Sequence, residues 1–309
     1  MIDRSHRFIR KAKRRRESAS ALLIVLWALL VLAASLLAWT QWVAQDITLD
    51  IDANRGLEAR AMAHSGMAVA LNPQVSKSTP LLEQAFPYDS GYQVKIVSEG
   101  GKLNVNWLMQ GEDPQKVAFF KKWLGYKGLN LQEREILTDC LLDYIDPDSL
   151  RHPNGVEDQG DYHAANRPLL SVDEITKVWG AGPLTKIPGW KDNLTIDSQG
   201  PIDLVAAPDY ILKLLGFSDL AIKRFIQIRA GPDKIDGTAD DYEFSDINEV
   251  LTTLGMNAQM AQQTIGPLVI ANDKTLRITS VGHSGKVVRQ LEVVVRKGGG
   301  NPQIRSWKE

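Results

Sequence analysis

Cysteine is almost missing from this 309-residue chain: the one present, Cys140, excludes an intrachain disulfide. Any stability outside a reducing compartment must therefore come from packing, with metal as the one other source. Catalytic signatures are missing too. The five histidines (6, 64, 152, 163 and 283) fall nowhere into His-Glu-x-x-His spacing. Gly282-His283-Ser284-Gly285 lacks the spacing of a nucleophile elbow, and Gly285-Lys286 lacks the upstream glycine of a phosphate loop. No nucleophile, base and oxyanion set assembles, so the chain reads as no enzyme. Charge is absent for a long stretch as well: after the basic run Arg7 to Arg16 and Glu17, no acid or base occurs until Asp46.

That uncharged stretch, Ser20 to Trp39 and beyond, is long enough to span a bilayer core of about 30 Å as a helix. The Lys/Arg cluster before it keeps the N-terminus cytoplasmic and places the chain beyond Asp46 outside. Three readings fit the junction: a plain signal anchor, a secretory signal, and a prepilin-type leader cut at the small residues Ser18-Ala19-Ser20. The formal net charge of −1 hides an asymmetry. With the bases concentrated in the leader the exported body is acidic, which argues against nucleic acid as its main partner.

Residues 45–71 carry apolar positions at loose helical spacing and no proline, predicting a long helix that ends at Asn72-Pro73. Alternation over residues 92–107 around Glu99-Gly100-Gly101-Lys102 predicts a β-hairpin. Strands are expected again at 276–281 and 287–296 around a turn at Gly282–Gly285, and at 304–307. Between these sheet segments, helical patterns recur at 117–124, 131–145, 172–179, 210–215, 219–230 and 247–254. Gly101-Lys102-Leu103-Asn104 and Gly200-Pro201-Ile202-Asp203 echo one another as turn, short extended piece and helix entry, with Asn or Asp placed to cap.

Two acidic clusters are candidate calcium loops, because dense carboxylates repel unless solvated or bridged by a hard cation. One comprises Asp143, Asp146 and Asp148 with Glu157, Asp158 and Asp161; the other comprises Asp233, Asp236, Asp240 and Asp241, without EF-hand spacing. Plain solvated turns are the competing reading. His152 and His163 beside the first cluster are read as surface histidines. Residues 206–229 look like a helix-hairpin-helix unit, used elsewhere to grip DNA phosphates or simply to pack. Asp219 stands where a second glycine would offer N–H groups to phosphate.

In order along the chain, the basic leader and apolar helix, Gly101-Lys102-Leu103-Asn104-Val105-Asn106, Leu142-Asp143-Tyr144-Ile145-Asp146-Pro147-Asp148 with Gly155-Val156-Glu157-Asp158, and Arg167-Pro168-Leu169-Leu170-Ser171-Val172-Asp173-Glu174-Ile175 carry a family resemblance. So does Ile202-Asp203-Leu204-Val205-Ala206-Ala207-Pro208. Together they resemble the K-type minor pseudopilin of type II secretion. The resemblance implies an α+β, pilin-like fold: a long N-terminal helix packed on an antiparallel sheet, with a large, mostly helical insertion. It divides the chain into a leader (1–19), a transmembrane and assembly helix (20–44), pilin-like parts at 45–112 and 270–309, and an insertion at 113–269.

It further implies an inner-membrane subunit at the tip of a periplasmic pseudopilus, partnered by other minor pseudopilins, the major pseudopilin and prepilin peptidase, with no nucleic acid. Calcium is bound by some members. Two departures stand out. The usual cut follows glycine, whereas the register here places it between Ala19 and Ser20, with Ser18 as the alternative. Pilin-like subunits usually carry glutamate at the fifth mature position, here Ile24; the K-type subunit also lacks it. A tip subunit has no neighbour above whose amine needs a buried carboxylate, and such a charge is costly to bury unmatched. Outside this family, a membrane-anchored DNA receptor using 206–229 and a type IV pilus minor subunit are the alternatives.

Overall fold

The computed structural model describes the backbone of residues 5–75, 77, 79–236, 240–298 and 302–309, and their side chains except at 5–21 and 44–53. The first element is the helix α1 (Ser5–Leu71). The chain divides into two units, Met1–Glu58 and Ala59–Glu309, with α1 crossing the division. In the first unit, Leu22–Val43 has a mean hydropathy of 2.7 and no buried residue, and is long and apolar enough to cross a membrane.

In the second unit, the last turns of α1 lie on a five-stranded antiparallel sheet. Its strands are β1 (Glu83–Phe86), β2 (Ser90–Ser98), β9 (Thr275–Ser284), β10 (Val287–Arg296) and β11 (Gln303–Lys308), in the order β1-β2-β9-β10-β11. Ala59, Ala63, Met67 and Ala70 recur at helical spacing and are buried. The latter three meet Val94, Ile96, Ile278, Leu291, Val293 and Val295. Small residues bring helix and sheet backbones close together. A Cβ built on Gly282 would lie 2.1 Å from Ala59 O and 2.3 Å from Ala63 N. Ser280 Oγ donates to Ala63 O at 2.7 Å, tying the central strand to the helix. As expected, α1 stops before Pro73, where Asn72 Oδ1 accepts from Gln74 N.

The predicted hairpin over 92–107 is not formed. β2 runs between β1 and β9, so its edges are taken. The segment after Gly101 instead makes β3 (Leu103–Asn104), parallel to β6 (Leu194–Thr195), and enters α2 (Val105–Met109). The turn after β9 is also tighter than expected. The strand continues through Gly282 to Ser284, which pairs with Val287 across Gly285-Lys286.

Between β2 and β9 sits the helical body. After α2 come α3 (Pro114–Tyr126), α4 (Leu131–Ile145), α5 (Gly182–Thr185), α6 (Asp209–Leu214), α7 (Asp219–Arg229), α8 (Ile247–Thr253) and α9 (Ala258–Thr264). Small two-stranded pairs join them: β4 (Asp158–Gln159) with β5 (Tyr162–His163), and β7 (Ile202–Asp203) with β8 (Val269–Ile270). Side-chain caps set most helix starts: Asn104 for α2, Asp113 for α3, a capping box of Asn130 and Glu133 for α4, Ser218 for α7, Asp246 for α8 and Asn257 for α9. The expected helix at 172–179 is a 3-10 turn, Val172–Lys177. This body has its own core, which includes Leu103, Phe120, Trp123, Leu141, Ile175, Phe225 and Val269.

At the joint between the two cores, the fully buried Glu99 accepts from Arg277 Nε and Nη2 at 2.8 and 2.6 Å. Burial opposes that charge, but the Arg277 bonds hold the carboxyl below its ordinary pKa. Beside it Asp203 accepts backbone N–H groups of Val205, Asn272 and Asp273.

Candidate cation site and its setting

α4 ends in the acidic sequence. Its residues Asp139 and Asp143 are one turn apart, so both face the same neighbouring loop, and Asp146 is the C-cap. Asp139 Oδ2 accepts from Asn154 N and Nδ2 at 3.1 and 2.8 Å, pinning the loop. Arg151 Nε donates to Gly155 O at 2.6 Å from within it. Cys140 is buried beneath, its thiol against Asn154 O at 3.7 Å. Burial, helped by the charges of Asp143 and Asp139, pushes that thiol up to about 12, so it is neutral and unreactive.

The Asp143 side chain is completely buried. Its Oδ1 accepts from the His152 backbone N–H at 2.9 Å and lies 2.5 Å from His152 Nδ1. Its Oδ2 has no partner, and neither do the buried Oδ1 of Asp146 and Oε1 of Glu157. Gly155 packs over Asp143: a Cβ there would sit 1.9 Å from Oδ2. Burial first, then the charges of Asp148 and Asp143, raises the pKa of Asp146. Burial followed by Asp143, Asp146 and Asp148 raises that of Glu157. Buried acceptor oxygens with no donor, in carboxylates crowded by like charge, have the chemistry of a hard-cation site.

The other residues of the first cluster stand apart from those oxygens. Asp148 is exposed and caps its own loop through Leu150 N at 2.7 Å, adding charge to the group. Asp158 and Asp161 are exposed on the β4–β5 hairpin, Asp158 paired with His163 Nδ1 at 2.9 Å. His152 overturns the surface reading: its side chain is 20% exposed and sits between Asp143 and Glu112, with Nε2 3.3 Å from Glu112. Burial works against its protonation, but bonds to these two carboxylates carry its pKa above the ordinary value. Asp143, Asp146 and His152 are the one group of three or more metal-type side chains that converges among the described residues.

The second cluster is held differently. Asp236 forms an ion pair with Arg229, Asp233 Oδ1 accepts from Ile235 N at 2.7 Å, and Asp240 Oδ2 accepts from Asp233 N at 3.0 Å. Asp241 follows Asp240, and residues 237–239 between them and Asp236 lie outside the described part. In 206–229 the helical hairpin forms as expected. Gly216 adopts φ +101° and Phe217 N closes on Leu212 O at 3.2 Å. Lys213 pairs with Asp219 at 2.9 Å across its mouth, where a phosphate would need free donors. Stacking of Tyr210 on Tyr126 at 4.9 Å ties it to α3, so its visible work is packing. The Ala19 and Ser20 side chains lie outside the described residues; Ile24 is exposed in the apolar segment.

Fold and anchor together define a pilin-like protein: a long helix on an antiparallel sheet, an apolar segment suited to membrane anchoring, and a helical insertion. Residues 101–185, which include α2 to α4 and the Asp143 site, match the family described as Type II secretion system (T2SS), protein K. The matched segment is a little over a quarter of the chain. The fold is similar to that in the crystal structure of the GspK-GspI-GspJ complex of the type 2 secretion system from enterotoxigenic Escherichia coli. Identity is 16%, the TM-score is 0.60, and the match covers 85% of this chain and 98% of that one. No curated protein matches the chain.

Proposed function

We propose that this protein is a minor pseudopilin that finishes the tip of a periplasmic pseudopilus as a non-catalytic subunit, in a complex with proteins like GspI and GspJ. It is anchored in the inner membrane with its basic N-terminus cytoplasmic, and prepilin peptidase cuts it between Ala19 and Ser20. The observation that carries the tip position is Ile24: an apolar residue stands where a subunit with another above it would hold a carboxylate. Similarity of nearly the whole body to a chain of the GspK-GspI-GspJ complex supports the partners. Ile24→Glu is expected to reduce tip placement and secretion; unchanged secretion would refute the account. N-terminal sequencing of the mature protein tests the cut.

Calcium is the cation that fits the Asp143 site, because the three unsatisfied atoms are all carboxylate oxygens. Asp143, Asp146 and Glu157 would hold it, and its charge would tie the end of α4 to the 155–157 loop. At a concentration a hundred times Kd, calcium is expected to add about 2.7 kcal/mol of stability. The shift should disappear when Asp143 and Asp146 become Asn and Glu157 becomes Gln. No shift at millimolar calcium would leave the loop a solvated turn.

A further inference from the structure

We propose that His152 is a positioning residue of the cation site: by occupying one oxygen of Asp143, it turns the other toward the metal. The proposal rests on the cation reading above and goes beyond it. Asp143 Oδ1 takes both donors that His152 offers on that side, the backbone N–H at 2.9 Å and Nδ1 at 2.5 Å. With Oδ1 saturated, the carboxylate cannot rotate without losing two hydrogen bonds inside a fully buried environment. Oδ2 is left as its open ligand atom, and Gly155 leaves the space for it.

The imidazole is itself held from behind. Its Nε2 lies 3.3 Å from Glu112, in the turn between α2 and α3. That turn carries two successive left-handed residues, Gly111 at φ +71° and Glu112 at φ +49°. Glu112, His152 and Asp143 thus form a line of contacts ending at the unsatisfied oxygen. Ligating carboxylates are commonly oriented by such outer partners, whose loss weakens metal binding about 10–100-fold. His152 is not itself a calcium ligand: its Nδ1 is spent on Asp143, and the orphaned atoms are all oxygens.

Calcium titrations by calorimetry on the full-length protein in detergent test this, with thermal unfolding in a chelator as the check on folding. His152→Leu should weaken binding about 10–100-fold. His152→Asn, whose amide N–H stands close to where Nδ1 was, should restore affinity to within about threefold of wild type. Glu112→Ala, at a half-exposed side chain, should weaken binding several-fold and serves if the Leu variant does not fold. Wild-type affinity in His152→Leu or Glu112→Ala overturns the proposal. So does a loss in His152→Asn equal to that in His152→Leu, which would make the imidazole itself a ligand. Absence of calcium binding by the wild type overturns the site reading, and the proposal with it.

Discussion

Glu174 offers a measurable account of how the helical body is locked. It sits in the 3-10 turn Val172–Lys177 and is 6% exposed. Its carboxylate accepts from Arg167 Nη2 at 2.7 Å and Nη1 at 3.3 Å, from Leu170 N at 2.8 Å and from the Tyr144 hydroxyl at 3.2 Å. Chiefly through Arg167, its pKa falls from an ordinary 4.5 to about 2. A gap of roughly 2.5 units corresponds to about 3 kcal/mol. Arg167 is 42% exposed, and solvent screening brings this nearer 2 kcal/mol. Because the folded pKa is depressed, this stabilisation is fully present above pH 4.5 and is lost as pH falls from there toward 2. Glu174→Gln should therefore lower Tm at pH 7 by about 4–8 °C. The deficit against wild type should shrink by about half by pH 3. Thermal unfolding of both proteins across pH 7 to 3 checks it. A deficit unchanged with pH, or no deficit at pH 7, would show that the carboxylate charge does not carry the stabilisation.

Gly282→Ala puts a methyl group into the α1 backbone at Ala59 and Ala63, which cannot move aside as a flexible side chain would. About 1–3 kcal/mol of destabilisation is expected, read as a lower Tm and faster proteolysis; an unchanged Tm would mean that helix and sheet are less tightly joined than described. The body without the basic leader and apolar helix should show no salt-dependent binding to duplex DNA even at low ionic strength, since Asp219 and Lys213 close the hairpin on each other. Binding there would revive the DNA reading.

Much of the fold was legible from local signals. Helices over 131–145 and 219–230 follow from their helical patterning and match the structure within a residue. The C-terminal strands read as plainly: β9 alternates buried and half-buried residues from Ile278 on, and β10 is rich in valine. The hairpin over 92–107 misled because alternation identifies a strand without naming its neighbour. β2 pairs with β9, far along the chain, and Leu103 with Leu194. In the candidate site, the carboxylates were visible as composition, but only the turn of α4 and the folding back of residues 151–157 buries partnerless oxygens on Asp143, Asp146 and Glu157 among the six. His152 was missed for the same reason: its contacts with Glu112 lie 40 residues away in sequence, and no spacing marks them.

The register between β2 and β9 runs unbroken to Ser98 opposite Leu276, and Glu99 N donates to Thr275 O at 2.9 Å. Residues 99–274 thus depart and return at a single point, in the place of an ordinary hairpin bend. The entropy of closing so long an excursion grows only with the logarithm of its length, about 0.6 kcal/mol for each doubling. The helical body is thus inserted at a single bend of the stem, with the buried Glu99 and Arg277 bonded across that joint. Excising residues 99–274 would take Glu99 with it and leave Arg277 with Glu292 as its remaining carboxylate partner, so the stem keeps a mark of the body it carries.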